Sequence, residues 1–472
     1  MPKITHIHGY EIVDAEARKT LVNHDNRMNY FQEEGSAREH RITDLENASR
    51  QNDYMPNAKH PPHGYTPAMG DGVTDDTQAI QRLIDDFNEV YLPQGTYRTT
   101  DSINCHNAKI TGAHPEKAFI KLDTADYNKP VITAGQTAII ESIGIGFKNL
   151  PGGINSDKHF VGIRLFSKEG ATFQRGSVLR NLLFWNVGTA ICDLAEQPTF
   201  NASFENLEIT KFSWCGISMM GGGTGNVFSN IYINGNMETG NYYENATGAQ
   251  FGGHMNLTLN QFNVEHMSTY CALLVSNCYN LSASAIHLEG VKLRNGWCGM
   301  VQFDRASGVI DGMSIVHTFH NNVACAALIQ LGESDGFSSE VHGRNDCKII
   351  INRLSCVGLG TPDGNLYPNS GEVGFANANT PVILYRRDTA SGLYEFGIND
   401  FTFASYLSDE DASKYDSFPM YDGTKIRVLN LGNNDKYGPT ESRPTTRLIA
   451  NRTKYYDYTL NREIMWNGSE WV

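Results

Sequence analysis

No stretch of the 472 residues approaches the ~20 consecutive apolar residues that a membrane-crossing helix needs, and Met1 to Glu11 lacks the basic-then-apolar order of a signal peptide. Membrane insertion and secretion by the general route are therefore not expected. Positive charge is scarce as well: 38 Lys and Arg against 52 Asp and Glu leave a formal charge of −14. A nucleic-acid partner is not expected, because phosphate binding needs a basic surface. A strongly anionic substrate is mildly disfavoured, although a local basic groove escapes this count. The nine cysteines show no zinc spacing, and neither a metal nor a cofactor is expected. Cys215, Cys271, Cys298 and Cys325 fall just before the apolar centres of proposed strands. They read as small hydrophobes stacked inside a coil rather than as a disulfide framework.

What the chain has in quantity is glycine, 45 residues, with an apolar fraction of 40%, a composition suited to short strands and tight turns. The length is too great for one ordinary core, whereas a solenoid grows without limit because each repeat touches only its neighbours. The most informative segment is GDGVTDDTQA, Gly70 to Ala79, followed by YLPQGTY, Tyr91 to Tyr97. A Gly-Asp-Gly turn and two further acids lead into a short helix, then a strand. Asp71, Asp75 and Asp76 read as turn and cap formers and not as a metal site. This pair of segments resembles the entry to the right-handed parallel β-helix of the pectate-lyase-like family, found in phage tailspikes and other polysaccharide-cleaving enzymes. The resemblance implies that the helix covers the open end of the coil.

Three regions follow. Residues 1–64 are charge-dense, with Leu21, Met28, Phe31, Ile42 and Leu45 in a broken heptad interrupted by Gly35 and Ser36. Two short helices that associate between subunits, or two solvated helices, fit this pattern equally. The opening ITHIHGYEIVDAEARK resembles the N-terminal segment of prophage tail proteins, which implies attachment and oligomerisation, and Asn57 to Pro67 reads as a linker. Residues 406–472 end in RPTTRLIANRTKYYDYTLNREIMWNGSEWV, strands about an Asn467–Gly468 turn. It resembles a terminal motif of phage tail proteins, with Met465 where that motif has a Trp, and implies a small β tip.

Between them, residues 65–405 carry an apolar-x-apolar unit, usually preceded by Asn. Taking Leu182, Leu207, Ile231, Phe262, Ile286, Met313 and Leu354 as equivalent, the steps are 25, 24, 31, 24, 27 and 41 residues. A second series, Ile191, Ile217, Ala249, Leu273, Val301 and Leu328, steps by 26, 32, 24, 28 and 27. The two series lengthen together at the same insertions, as coils of one solenoid require.

Adjacent coils lie ~4.8 Å apart with a side-chain period of two, so the repeats become columns. Three residues after each equivalent position stand Thr210, Asn234, Glu265, Glu289 and Val316. Glu265 and Glu289 are thus neighbours on one outward column. Two carboxylates one rung apart repel, which favours one keeping a proton while the other ionises. Glycoside hydrolysis needs that division, with a close pair favouring retention and a wider pair inversion through a water. His266, His287, His317, Asn263 and Tyr232 lie beside them, with Arg294 and Arg305 in the following loops. The same inventory also suits elimination on a uronic acid, with a His or Tyr as base. Trp214, Trp297, Tyr242 and Tyr243 flank these rungs as candidate sugar-stacking rings, and the insertion Met237–Gly253 is a candidate groove wall. Each has a plainer reading, since outward positions on a coil are polar wherever they face water, and the tryptophans suit packing equally.

The expected protein is all-β: a right-handed parallel β-helix with an N-terminal helical segment and a small C-terminal β element. The resemblance implies a homotrimeric tailspike located in a virion and a polysaccharide substrate. Hydrolysis by Glu265 and Glu289 leads; elimination and a glycan-binding spike without catalysis are the alternatives.

Overall fold

The computed structural model describes residues 6–7, 10–11 and most of 55–357, with shorter stretches between 373 and 472. Two compact units divide the chain, Met1–Pro56 with Pro62–Gly64, and Asn57–Pro61 with Tyr65–Val472. In the first, His6–Ile7 pairs antiparallel with Tyr10–Glu11; the helices expected around residues 21–45 fall outside the described residues.

The second unit is a parallel β-solenoid, as the sequence led us to expect. Its entry is the Gly70 segment. Asp71 accepts bonds from the Val73 and Thr74 amides, and Asp75 from the Thr77 amide and hydroxyl. Asp76 stands at the N-cap of the helix Thr77–Phe87, yet its carboxylate turns back to the Met69 and Gly70 amides. It therefore fixes the loop rather than the first turn of the helix. Ile80, Leu83 and Ile84 bury one helix face in the common core, and Asn88 ends the helix in the left-handed conformation.

Each later coil is built from strands that bend at one recurring residue. Val227–Asn234 buries Phe228, then Ile231 and Ile233, so the alternation resets at Asn230. Asn230 has φ 54, and Asn181, Asn206, Gln261 and Ala285 occupy the same bend with φ between 50 and 54. A left-handed residue swings the chain through a corner, and Asn tolerates that conformation better than other side chains. This is why Asn precedes so many of the apolar repeats. The corner amides also link successive coils: Asn230 donates to Asn206 Oδ1 at 2.8 Å, and Asn181 to Ser142 Oγ at 2.9 Å.

The parallel register joins Leu182, Leu207, Ile231, Phe262, Ile286, Met313 and Leu354, the positions aligned by sequence. The second series holds from Ile191 to Val301, but Val301 pairs with Ile329 and not Leu328, a slip of one residue. The ladder also takes in Tyr421–Asp422 and Ile426–Leu431, beyond residue 405. Near the end, Lys454–Asp457 pairs antiparallel with Arg462–Met465, and Met465 and Val472 exchange both backbone hydrogen bonds. The Asn467–Gly468 turn lies outside the described residues.

Aromatic stacking fills the interior: Phe204 and Phe228 lie parallel with ring centroids 4.2 Å apart. Full burial of each such ring contributes on the order of 2–3 kcal/mol. Cys215 and Cys271 are buried free thiols, and burial pushes the Cys192 thiol up to about 12. Cys298 and Cys325 lie outside the described residues.

Two buried titratable groups grip one segment from opposite sides. Asp193, from the preceding coil, accepts the Met220 and Gly221 amides at 2.8 and 3.0 Å. His254, from the following coil, places Nε2 3.0 Å from the Met219 carbonyl and Nδ1 3.2 Å from the Asn226 amide. A carbonyl accepts, so Nε2 carries the proton and Nδ1 receives the Asn226 N–H. Burial raises Asp193 from 3.8 to about 7 and lowers His254 from 6.5 to about 4.

The two linkages have opposite signs. Stability from His254 is complete above 6.5 and is lost as the pH falls towards about 4. Stability from Asp193 is complete below 3.8 and is lost as the pH rises towards about 7. Across the shared window they oppose each other, each by up to about 1.4 kcal/mol per pH unit. Asp193→Asn should therefore lose Tm relative to the parent on acidification, and His254→Gln on alkalinisation. Thermal melts followed by circular dichroism across that window check both signs.

Candidate active site

The face that follows the Asn corner presents two outward columns. Glu208, Tyr232, Asn263 and His287 form one; Thr210, Asn234, Glu265 and Glu289 form the other. Strand alternation turns these residues out while Ile209, Ile233, Val264 and Leu288 point into the core. The expected register between Glu265 and Glu289 is met.

His287 Nε2 lies 3.0 Å from Glu289 Oε2 and 3.9 Å from Glu265 Oε1, while His266 Nδ1 lies 3.8 Å from Glu265 Oε2. Glu265 is the more enclosed acid, with a side chain 15% exposed against 35% for Glu289. Tyr232 accepts the Asn234 amide at 2.8 Å. Burial first, then the charge of the neighbouring Glu265 carboxylate, hold the Tyr232 phenol above its ordinary range. A phenol so placed is a donor and a poor base. Glu265, His287 and Glu289 each offer a ligand atom within 4.8 Å of the others. Such a donor set can hold a divalent cation, a use the sequence did not point to.

A groove of about 660 Å³ adjoins this cluster, lined by Asn263, His287, Ser314, Ser355 and Arg353 among others. Arg353 occupies the corner and approaches Asp311 at 3.5 Å.

Other expected residues are placed elsewhere. Arg305 is not a groove cation: its side chain is 8% exposed, and it bonds Asp304, 2% exposed, at 2.9 Å. It stands in a left-handed turn before Ser307–Val316, at the strand end remote from Val316, the partner of Glu289. Trp214 is half-buried just before the third face of the coil, the one where Cys215–Met219 pairs with Thr247–Phe251, and lies off both columns. Thr247–Gly252 is a strand of that third face, so this part of the proposed groove wall is coil. Tyr242, Tyr243, Arg294, Trp297 and His317 lie outside the described residues.

Sequence reasoning missed Trp185 and Arg353. Trp185 stands three residues after Leu182 and pairs with Thr210, so the column arithmetic carried one rung back reaches it. Arg353 stands directly before Leu354, at the position the corner Asn residues take on earlier coils, so the repeat that aligned Leu354 also reaches it.

The chain is similar to known proteins over parts of its length. Residues 66–281 match the family described as rhamnogalacturonase A/epimerase, pectate lyase-like. The chain is 32% identical over 90 residues to the preneck appendage proteins of Bacillus phages PZA and phi29, covering 17% of this chain and 10% of each relative. It thus spans about a tenth of the length of these curated relatives. Among solved structures it is similar to the gp42 tailspike of Acinetobacter phage vb_AbaP_AS12, with 10% identity, TM-score 0.49, and coverage of 81% of this chain and 63% of that one. It is also similar to the A-module of the Azotobacter vinelandii mannuronan C-5 epimerase AlgE6, with 15% identity, TM-score 0.38, and coverage of 79% and 99%. The parallel β-solenoid expected from the sequence is shown, and over residues 66–281 the chain is similar to a pectate-lyase-like family.

Removing Arg305 would leave the Asp304 charge buried without its partner. Arg305→Met should destabilise the fold by about 3 kcal/mol, whereas Arg353→Met, at an exposed pair, should change stability by less than about 1 kcal/mol. Urea unfolding of both variants checks the contrast.

Proposed function

We propose that this chain is a phage-tail polysaccharide depolymerase that hydrolyses glycosidic bonds with Glu265 and Glu289. The observation that carries this reading is the approach of one oxygen of each carboxylate to within 4.8 Å, on a face beside an open groove. A pair so close supports the retaining arrangement, in which the second carboxylate attacks the sugar directly.

Glu265, the more enclosed of the two acids, suits the nucleophile, because a fixed oxygen attacks with little reorganisation. Glu289, more exposed and oriented by His287, suits the acid and base. In the first step its carboxyl gives a proton to the leaving glycosidic oxygen while Glu265 forms an ester at the anomeric carbon. In the second it takes a proton from water, which attacks that carbon and releases Glu265. Asn234 and Asn263, on the same columns, suit hydroxyl recognition. The family description and the phage appendage relatives support a polysaccharide substrate and a place in a virion. A homotrimer is part of the same proposal.

Glu265→Gln and Glu289→Gln should each lower kcat by about a hundredfold or more. The assay is release of new reducing ends from a panel of bacterial capsular and extracellular polysaccharides, with and without EDTA. Near-normal turnover in both variants overturns the assignment. An unsaturated uronate product, read by ultraviolet absorbance, would establish elimination instead, and loss of turnover in EDTA would point to the cation-binding use of the cluster. Binding without any cleavage by the parent protein would leave a receptor-binding spike.

A further inference from the structure

The column that bears the two acids continues towards the N-terminal end of the solenoid. Glu289 pairs with Glu265, Glu265 with Asn234, Asn234 with Thr210, and Thr210 with Trp185. Three rung steps separate Trp185 from Glu265, or ~14 Å along the coil axis. The residues between are short: Asn234 holds Tyr232, and Thr210 turns its hydroxyl to the Phe184 carbonyl at 3.3 Å.

Trp185 departs from this low floor. The residue is 43% exposed, although an indole is ordinarily among the more buried side chains. Lys211, in the following corner, sets its ammonium 5.3 Å from the ring centroid. On the preceding rung Trp185 pairs with Gly146, where an added Cβ would come within 1.9 Å of the Trp185 carbonyl oxygen. No side chain can therefore stand beside the indole on that rung. The ring is held from one side by a cation and left uncrowded by its other column neighbour.

We infer that Trp185 is a sugar-stacking platform at the N-terminal end of the acid-bearing column, receiving the apolar C–H face of a pyranose while Lys211 holds the indole. An extended polysaccharide advances by a length comparable to one rung per sugar, so the platform meets a sugar about three residues from the bond at Glu265. A chain that short of the platform gains nothing from it. The residue is thus a chain-length reader: it tightens binding of long substrates and leaves the bond-breaking step alone. The inference takes its direction along the coil from the proposed acid pair, but the platform itself is tested by binding.

The test uses the full chain and an array of uronic-acid and neutral oligosaccharides, from disaccharide to octasaccharide. The parent should hold its preferred octasaccharide more tightly than the matching disaccharide. Trp185→Ala should weaken the octasaccharide about tenfold, the scale of a lost aromatic contact, leave the disaccharide unchanged, and Trp185→Phe should recover most of the loss. Equal binding of the octasaccharide by Trp185→Ala and the parent, equal loss at both lengths, or no length dependence in the parent, including no binding at all, overturns the platform. The two readings fail separately. Unimpaired turnover in the Glu→Gln variants with length-selective loss in Trp185→Ala removes the acid pair and keeps the platform; the reverse removes the platform alone.

Discussion

Every functional distance in this protein depends on the parallel backbone ladder keeping one register from coil to coil. A side-chain period of two means that a slip of one residue would carry Glu265 or Glu289 from the outer face into the core. The ladder holds because the inward residues of each coil stack on their counterparts above and below. Leu207, Ile231, Phe262 and Ile286 are all essentially buried and lie in one paired row. Placing a carboxylate in that row would cost far more than any single strand contributes.

The left-handed corner is the second half of the constraint. A straight strand cannot close a coil, and the bend must recur at the same position or the faces would lose alignment. Asn solves this at Asn181, Asn206 and Asn230 by tolerating positive φ and by bonding its counterpart on an adjacent coil where the geometry permits. Later coils use Gln261, Ala285 and Gly312, and there the groove opens beside the corner, lined by these same residues. Smaller side chains at Ala285 and Gly312 make room where the Asn ladder stops. Structure and candidate site are thus two consequences of one bend.

Burial also separates charges that look alike in the sequence. Asp193, Asp304 and Glu265 are all acids in strand-rich contexts, yet the first is enclosed against backbone amides, the second is tied to Arg305, and the third faces outward beside two imidazoles. Among cations, Arg305, expected beside the acids, is enclosed with Asp304, while Arg353 lines the groove. Position along a strand alternates with a simple period, but whether a turn residue folds inward depends on which neighbour can satisfy it.

Repeat spacing determined that this chain is a solenoid, aligned the first apolar series throughout and the second as far as Val301, and put Glu265 and Glu289 in one column, because stacking turns a sequence repeat into a spatial one. The parallel β-helix itself was implied by the resemblance of the Gly70 and Tyr91 segments. The loop acids Asp71 and Asp75 were legible too, since turn chemistry is local. Only the tertiary structure decided the rest. It brought His287 against Glu289, shut Arg305 away with Asp304, opened the groove at the Arg353 corner and left Trp185 standing in the acid column. These outcomes depend on rotamers, corner geometry and competition between partners from different coils, none of which leaves a periodic trace in the order of residues.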